Sequence, residues 1–177
     1  MRVSQVYTAA PSEERCAVEM ETFALLDRLG IPYTWVAHDM ANTIEDCAAV
    51  DAALGISICK NLFLCNRQKT EFYLLAMPGD KLFQTKELSR QLGTARLSFA
   101  PPERMEELLG CAPGSASVLG RAYDKSHQVH LLMDREVYES EWFGCHPCKS
   151  DATLRIQTRD LLNIFFPYTG HPVTVVD

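Results

Sequence analysis

Two apolar segments that lie close together in the chain constrain its fold more than any other feature. Residues 55–66 read GISICKNLFLCN, residues 71–77 read EFYLLAM, and the polar sequence RQKT separates them. Nearly continuous apolar runs of this length are typical of strands that are buried on both faces. The short polar connection predicts that the two strands form a hairpin. A sheet with two buried faces needs a further layer of structure on each side, so the hairpin indicates a layered domain.

Two polar residues, Lys60 and Asn61, interrupt the first of these segments. Side chains alternate along a strand, so Lys60 shares a face with Leu62 and Asn61 shares the opposite face with Phe63. An ammonium group without a partner is costly to bury, and such groups are usually paired or functional. The lysine could also reach water from a strand end, and the asparagine could satisfy a bulge. The residues alone leave both interpretations open.

The rest of the chain alternates between predicted helices and strands. One helix begins at Ser12, a possible N-cap, and stops before Gly30; a second begins at Thr43 and stops at Gly55. Strands interspersed with helices predict an α/β or α+β domain around one mixed sheet, with the two apolar runs as its central strands. Further helices or helical turns are predicted at 86–92, 101–109, 134–139 and 158–166, strands at 33–37, 129–133, 154–157 and 173–176, and a loop at 113–120.

Length and composition are those of one ordinary globular domain. The chain has 177 residues, of which 47% are hydrophobic and 23% charged. It contains no apolar run near the roughly 20 residues that cross a bilayer, and its first residues lack the apolar core of a signal peptide, so we expect a cytoplasmic protein. The net charge of −6 argues against strong non-specific binding of nucleic acid, although a specific nucleic-acid ligand is compatible with it.

A C-x-x-C motif, Cys145-His146-Pro147-Cys148, is the most conspicuous local pattern. A thiol-redox pair has this spacing, but the thioredoxin-like fold places the pair near the start of the chain and this one lies near the end. One such motif supplies only two of the four ligands of a zinc site, so no metal is predicted. The seven cysteines are best interpreted as reduced thiols. No nucleophile elbow, zinc-protease, P-loop or dinucleotide-binding motif is present.

Taken together and in order, a series of segments resembles the YbaK-like aminoacyl-tRNA deacylases, and within them the free-standing prolyl-tRNA editing proteins. The resemblance implies a single editing domain over 1–177, with 1–11 as an irregular N-terminal extension and a partly barrel-like mixed sheet surrounded by helices. It covers the chain from about residue 20 onward. Its segments are LDRLGIPYTWVAH, ICKNLFL, MPGDK, SRQLGTARLSFAPPERMEELLGCAPGSAS, VHLLMD, GCHPCKSDATLRI and HPVTVVD.

The resemblance implies hydrolysis of the ester that joins a wrong amino acid to the 3′ end of a tRNA, most directly alanine on the tRNA for proline. A synthetase cannot strongly reject a smaller amino acid, because a missing methylene costs only ~1–3 kcal/mol, and a second, smaller site corrects the error. The implied partners are tRNA and, to present it, prolyl-tRNA synthetase or an elongation factor; no cofactor is implied. The alternatives are an inactive tRNA- or synthetase-binding module of the same fold and a thiol-redox protein that uses Cys145 and Cys148.

The resemblance also implies roles for particular residues. Lys60 would hold the phosphate and ribose of the terminal adenosine, the loop at Gly114 would stabilise the oxyanion, and His146 would shape the amino-acid pocket. Asn61 would orient the ester or its water. These roles predict that Lys60, the Gly114 loop and His146 share one cavity. The other residues implied to contact the substrate are Thr43, Ser115, Ala116, Ser117, Gly144, Pro147 and Thr153.

Three positions depart from the family pattern. Val118 stands where the glycine loop usually has proline, which would fix the loop's φ angle. Ser150 and Asp151 stand where asparagine and threonine are common, and Lys149 and Asp151 add charges that we expect near the mouth of the pocket. Val118 predicts an altered loop geometry and pocket size. The three departures together predict either an altered amino-acid specificity, such as a different small residue, or reduced activity.

Overall fold

The computed structural model describes residues 1–40 and 44–177, with side chains from residue 46 onward in the second range. Its α-helices are α1 (Ala17–Arg28), α2 (Ile44–Leu54), α3 (Thr85–Leu92), α4 (Pro102–Leu109), α5 (Arg135–Glu139), α6 (Thr158–Asp160) and α7 (Phe166–Thr169). A 3-10 helix spans Val118–Tyr123, and a π-helical segment, Leu161–Phe165, joins α6 to α7. The strands are β1 (Tyr33–Ala37), β2 (Cys59–Cys65), β3 (Phe72–Pro78), β4 (Ser98–Phe99), β5 (Val129–Asp134), β6 (Trp142–Cys145), β7 (Ala152–Gln157) and β8 (Val173–Val176).

The alternation of helices and strands confirms the predicted α/β or α+β class. The strands form two sheets, one of them mixed, where a single mixed sheet was expected. A five-stranded sheet has the order β4-β2-β3-β5-β8, and a three-stranded antiparallel sheet has the order β1-β7-β6. The predicted hairpin is confirmed, because β2 and β3 pair antiparallel from Cys59 opposite Pro78 to Cys65 opposite Phe72. The larger sheet is mixed, since β5 pairs parallel with both β3 and β8. The described strands form no closed barrel.

Both faces of β3 and of the second half of β2 are buried, as the two apolar runs predict, whereas residues 59–62 are partly exposed. One face belongs to the main core, in which Phe63 and Leu74 pack with side chains of the three-stranded sheet such as Leu154. The other face belongs to a second cluster, in which Leu64 and Leu75 pack with Leu88 of α3, Leu97 of the segment before β4 and Val176 of β8. Alternation along each strand therefore divides its side chains between two apolar layers.

Helix α1 begins at Ala17, which corrects the predicted start at Ser12. Its N-cap is Cys16, which makes no side-chain capping bond. The preceding chain is committed to another structure, because residues 1–11 run beside the free edge of β1. Tyr7 and Trp35 form an antiparallel bridge, and the indole N–H of Trp35 donates to the Ala9 carbonyl at 2.8 Å. The N-terminal extension is thus held by backbone and side-chain bonds.

Two short strands and one helix were not predicted. Strand β6 ends at Cys145, the first residue of the C-x-x-C motif, and pairs with β7, while β4 adds two residues to the edge of β2. The predicted loop at 113–120 becomes 3-10 helical from Val118.

Within the described residues, no helix is long and apolar enough to cross a membrane.

Candidate active site

A cleft of about 770 Å³ opens beside the first half of β2. It brings together Lys60 and Asn61 from β2, Gly114 and Ala116 from the glycine loop, and His146 from the segment after β6. The rest of its wall comes from α2, from the strand lead-in and β2 itself, from the turn after β3, and from the chain between β4 and the glycine loop. Those residues are Cys47, Ala48, Asp51, Ser57, Ile58, Cys59, Leu62, Phe63, Gly79, Asp80, Phe99, Ala100, Pro102, Met105 and Pro113.

The cleft lies against the edge of β2 and not against one of its faces. Consecutive residues of β2, from Cys59 to Phe63, all line it, although neighbouring side chains point to opposite faces. The edge is open there because β4 pairs with β2 only at Leu64 and Cys65. An open edge explains how Lys60 and Asn61 can reach the same cavity.

Lys60 has a neutral partner in this structure. Its ammonium donates to the backbone carbonyl of Lys81, and within the described chain it forms no ion pair with a carboxylate. The buried carboxylate of Asp134 forms its ion pair with Lys81, at 2.7 Å, and not with Lys60. The positive charge of Lys60 therefore faces the cleft without a compensating negative partner, which suits an anionic ligand.

Asn61 presents an unsatisfied acceptor. Its Oδ1 is buried and receives no hydrogen bond from the described part of the chain. A buried polar atom without a partner costs about 1–3 kcal/mol, so a donor from water or from a ligand is expected at this position.

Two backbone amides of the glycine loop have no acceptor in the described part of the chain. Gly114 has a φ of +82°, a left-handed conformation that glycine adopts without strain. The amide of Ser115 closes the turn by donating to the Ala112 carbonyl at 2.9 Å. The amides of Gly114 and Ala116 donate to no atom of the described chain, and both residues line the cleft. Two backbone N–H groups are thus available to an oxygen atom placed there.

The glycine loop is held in place at Val118 even without a proline there. It is fully buried in the main core and begins the 3-10 helix. The Ser117 hydroxyl caps that helix by accepting from the Leu119 amide at 3.2 Å, and it donates to the His146 carbonyl at 2.6 Å. Burial and capping fix the loop in place of the proline that the family pattern usually has.

His146 is held as a neutral ring. Its Nδ1 lies 2.7 Å from the Ala152 carbonyl, which can only accept, so Nδ1 carries the proton and Nε2 is an acceptor in the neutral form. Burial lowers the pKa of His146 below its ordinary value. The Thr153 hydroxyl lies 3.4 Å from the same Nδ1 and 2.8 Å from Nε2 of His38. His38 and Thr153 therefore support the ring from behind.

Several residues that the resemblance implies as substrate contacts do not line the cleft. Ser115, Ser117 and Thr153 are buried behind its wall. Gly144 allows β6 to approach the strand lead-in, since a Cβ on it would lie 2.5 Å from Cδ1 of Ile56. Pro147 also lies outside the lining, and Thr43 lies outside the described residues.

Lys149 and Asp151, which were expected near the mouth of the pocket, are not among the residues that line the cleft. They pair with each other at 2.8 Å, and Asp151 also pairs with Arg15 at 2.7 Å. Arg15 and Lys149 both approach the fully buried carboxylate of Glu19, at 2.9 and 4.0 Å. This network fastens the start of α1 to the segment before β7.

The thiols of the C-x-x-C motif are poorly suited to redox exchange. Cys145 and Cys148 are buried, and every cysteine of the chain is a free thiol. Burial raises the pKa of Cys145 well above its ordinary value, and a hydrogen bond with Cys111 together with burial does the same for Cys148. Because the thiolate is the reactive form, both thiols are expected to be inert.

Sequence reasoning missed part of the lining. Asp51 and Met105 lie on amphipathic helices, where a carboxylate or a methionine is ordinary and gives no local signal. Asp80 belongs to a turn and Phe99 to a two-residue strand. Phe99 could have been noticed only as an apolar residue beside two prolines.

A cleft with a lysine, two free amides and a neutral histidine is equipped to bind a substrate that carries both an anionic group and a carbonyl. The model of the aminoacyl-tRNA editing domain family matches residues 38–164 of the chain. The chain therefore belongs to this family.

Individual relatives agree with this assignment. A prolyl-tRNA editing protein, ProX, of Acetoanaerobium sticklandii is 31% identical over 141 residues, which cover 80% of this chain and 86% of the relative. Prolyl-tRNA synthetase associated domain-containing protein 1 of Danio rerio is 30% identical over 176 residues, which cover 98% and 94%. A solved structure of a candidate trans-editing enzyme for prolyl tRNA synthetase matches with a TM-score of 0.67 at 18% identity, covering 92% of this chain and 98% of that one, and shows the common fold.

Proposed function

We propose that this chain is a trans-editing deacylase that hydrolyses the ester of mischarged tRNA, with alanine on the tRNA for proline as its substrate. The observation that carries the proposal is the convergence of Lys60, the free amides of Gly114 and Ala116, and His146 on one cleft. Family membership supplies the substrate class, and the relative described as a prolyl-tRNA editing protein supports the choice of tRNA.

The 3′ end of an aminoacyl-tRNA offers a phosphate, a ribose and an ester carbonyl within a few bonds. In the proposed complex, Lys60 exchanges the Lys81 carbonyl for the phosphate and ribose, because a charge-assisted bond is stronger than a bond to a neutral acceptor. The amides of Gly114 and Ala116 donate to the ester oxygen as it becomes negative. One such donor contributes about 10²–10³ in rate.

Hydrolysis needs a water molecule that attacks the ester carbonyl, while the ribose oxygen leaves and takes up a proton. The lining contains the thiols of Cys47 and Cys59, but burial raises the pKa of both, so neither is an activated nucleophile. The substrate's own ribose hydroxyl is the proposed activator of the water. The unsatisfied Oδ1 of Asn61 is placed to accept from that water or from the ribose. His146, neutral with its proton on Nδ1, offers Nε2 only as an acceptor and bounds the amino-acid end of the cleft.

The partners follow from this proposal. The acceptor end of tRNA is the substrate, and prolyl-tRNA synthetase or an elongation factor would present it. The net charge of −6 predicts modest affinity for uncharged tRNA, because few phosphates can be neutralised. Nanomolar binding of uncharged tRNA at physiological salt would contradict this expectation.

A panel of aminoacylated tRNAs tests the activity. The purified protein should deacylate alanyl-tRNA for proline and leave the cognate prolyl-tRNA intact. The Lys60→Ala variant should lose about 10²-fold in kcat/KM, the value of one or two charge-assisted bonds. Lys125→Ala, which removes an exposed lysine outside the cleft, is the matched control and should retain activity.

Two outcomes would contradict the proposal at different levels. If no mischarged tRNA of the panel is hydrolysed, the chain is not a deacylase of this type and the inactive binding module becomes the better interpretation. If hydrolysis occurs but Lys60→Ala and Lys125→Ala behave alike, the activity stands and the role of Lys60 is wrong.

A further inference from the structure

The cleft contains charges that the proposed mechanism does not use. Two carboxylate side chains, Asp51 and Asp80, line it within the described chain together with Lys60. Asp80 is exposed in the turn that follows β3, whereas Asp51 is partly buried on α2. An acidic group inside a cleft that binds a polyanion is unfavourable unless it meets a cation.

The position of the Asp51 carboxylate is fixed by the chain next to β2. Its Oδ1 accepts from the Ile58 amide at 2.9 Å, and its backbone carbonyl accepts from the Ile56 amide at 3.1 Å. Ile58 directly precedes β2 and lies two residues before Lys60 in the chain. The carboxylate is therefore held against the wall that also carries the lysine.

The surroundings of Asp51 favour a positive ligand. Burial raises its pKa, which means that the ionised form lacks full solvation. Asp51 also lies in the last turn of α2, where the helix carbonyls give a negative potential. A cation placed beside it would relieve both unfavourable effects.

An aminoacyl ester carries such a cation. Its α-ammonium group is one carbon away from the ester carbonyl, so any site that binds the carbonyl must also accommodate the ammonium. We propose that Asp51 binds the α-ammonium group of the aminoacyl ester while Lys60 binds the ribose and phosphate on the other side of the carbonyl. The inference rests on the proposed function and adds a substrate-binding residue to it.

This assignment makes Asp51 a determinant of specificity. An ester of an α-hydroxy acid, such as lactyl-tRNA, has the shape of alanyl-tRNA but a neutral hydroxyl in place of the ammonium. The wild-type protein should prefer the alanyl ester beyond the difference in intrinsic lability of the two esters. The intrinsic difference cancels when the preference is compared between the wild type and a variant.

Asp51→Asn is the test variant, because it keeps an oxygen that can accept from the Ile58 amide and removes only the charge. We expect the ratio of kcat/KM for alanyl- and lactyl-tRNA to fall by about 10- to 100-fold, with lactyl-tRNA hydrolysis retained. Asp80→Asn, an equal charge change at the exposed mouth, should leave the ratio at its wild-type value. The non-hydrolysable amide 3′-alanylamino-3′-deoxyadenosine should bind Asp51→Asn more weakly by a similar factor.

The outcomes separate this inference from the proposed function. Equal loss of both activities in Asp51→Asn would overturn the inference and leave the deacylase intact, as would a wild-type protein that does not distinguish the two esters beyond their chemical lability. A wild-type protein that hydrolyses neither ester would overturn the proposed function and the inference with it. A fallen ratio in Asp80→Asn alone would assign the ammonium to the mouth of the cleft and refute the role of Asp51.

Discussion

Ser117→Ala should weaken the protein more than the loss of one small polar group suggests. The Ser117 hydroxyl is fully buried and joins two parts of the cleft wall. It donates to the His146 carbonyl at 2.6 Å and accepts from the Leu119 amide at 3.2 Å. Alanine leaves the buried His146 carbonyl and the buried Leu119 amide without this partner.

The size of the effect follows from these two bonds. Loss of an N-cap costs about 0.5–2 kcal/mol, and a buried carbonyl left unsatisfied costs about 1–3 kcal/mol. The free energy of unfolding should therefore fall by about 2–4 kcal/mol. In a domain of this length, that change lowers Tm by about 5–12 °C.

Thermal unfolding followed by circular dichroism measures the change, and deacylation measures its effect on the site. Because Ser117 links the glycine loop to His146, kcat should fall as well as Tm. Ser126→Ala, which removes an exposed hydroxyl that meets only the Gln128 side chain, should change the free energy of unfolding by less than about 0.5 kcal/mol. A Tm that falls by less than about 2 °C in Ser117→Ala would refute the reasoning about the two bonds.

Three further predictions concern residues 144–148, which include the end of β6 and the C-x-x-C motif. Gly144→Ala should lower the free energy of unfolding, measured by denaturant titration, by about 1–3 kcal/mol. Adding Ile56→Val to this variant removes the Cδ1 atom that clashes and should restore part of the loss. If it restores nothing, the cost comes from the backbone and not from the Ile56 side chain. Burial lowers the pKa of His146 in the folded protein, so the unfolded chain takes up the proton at a higher pH than the folded chain does. The free energy of unfolding should therefore fall as the pH drops through about 6.5 toward the folded pKa. His146→Asn, which keeps a donor for the Ala152 carbonyl, should flatten this dependence, and an unchanged slope would contradict the cause. When the folded protein is treated with an alkylating agent, mass spectra should show exposed thiols modified and the buried Cys148 unmodified. Rapid alkylation of Cys148 would instead favour the thiol-redox alternative.

The hairpin was predictable because its information is local. Two apolar runs predict that β2 and β3 are buried on both faces, and the short polar connection between the two strands favours a hairpin. The division into two sheets was not predictable in this way. The pairing of β1 with β7 joins Tyr33 to Ile156, and no local pattern indicates a partner so far along the chain. The start of α1 was displaced for the same reason, because the N-terminal extension bonds to Trp35 instead of entering a helix.

Residues of the candidate site also differ in whether the local sequence indicates their role. Lys60 was recognisable because a charge in an apolar strand is locally anomalous, and the cleft provides the opening that this charge needs. Asp51 gave no such signal, since a carboxylate on an exposed helix is ordinary until the fold brings Ile58 against it. Ser117 was expected to contact substrate, but its hydroxyl is taken by a carbonyl that arrives from the segment after β6.

The prolines that follow β4 explain why the cleft exists at all. β4 pairs with β2 at Cys65 and Leu64, and the Ala100 amide then donates to the Phe63 carbonyl at 2.9 Å. Continuing that register would bring the segment 101–102 opposite Leu62 and its neighbour, but both residues are prolines, which have no N–H to donate. The pairing therefore ends, and α4 begins at the second proline. The edge left bare is the edge that carries the lysine and the asparagine. The same short sequence thus stops a sheet, starts a helix and opens the cavity in which two polar residues of an apolar strand can meet a ligand.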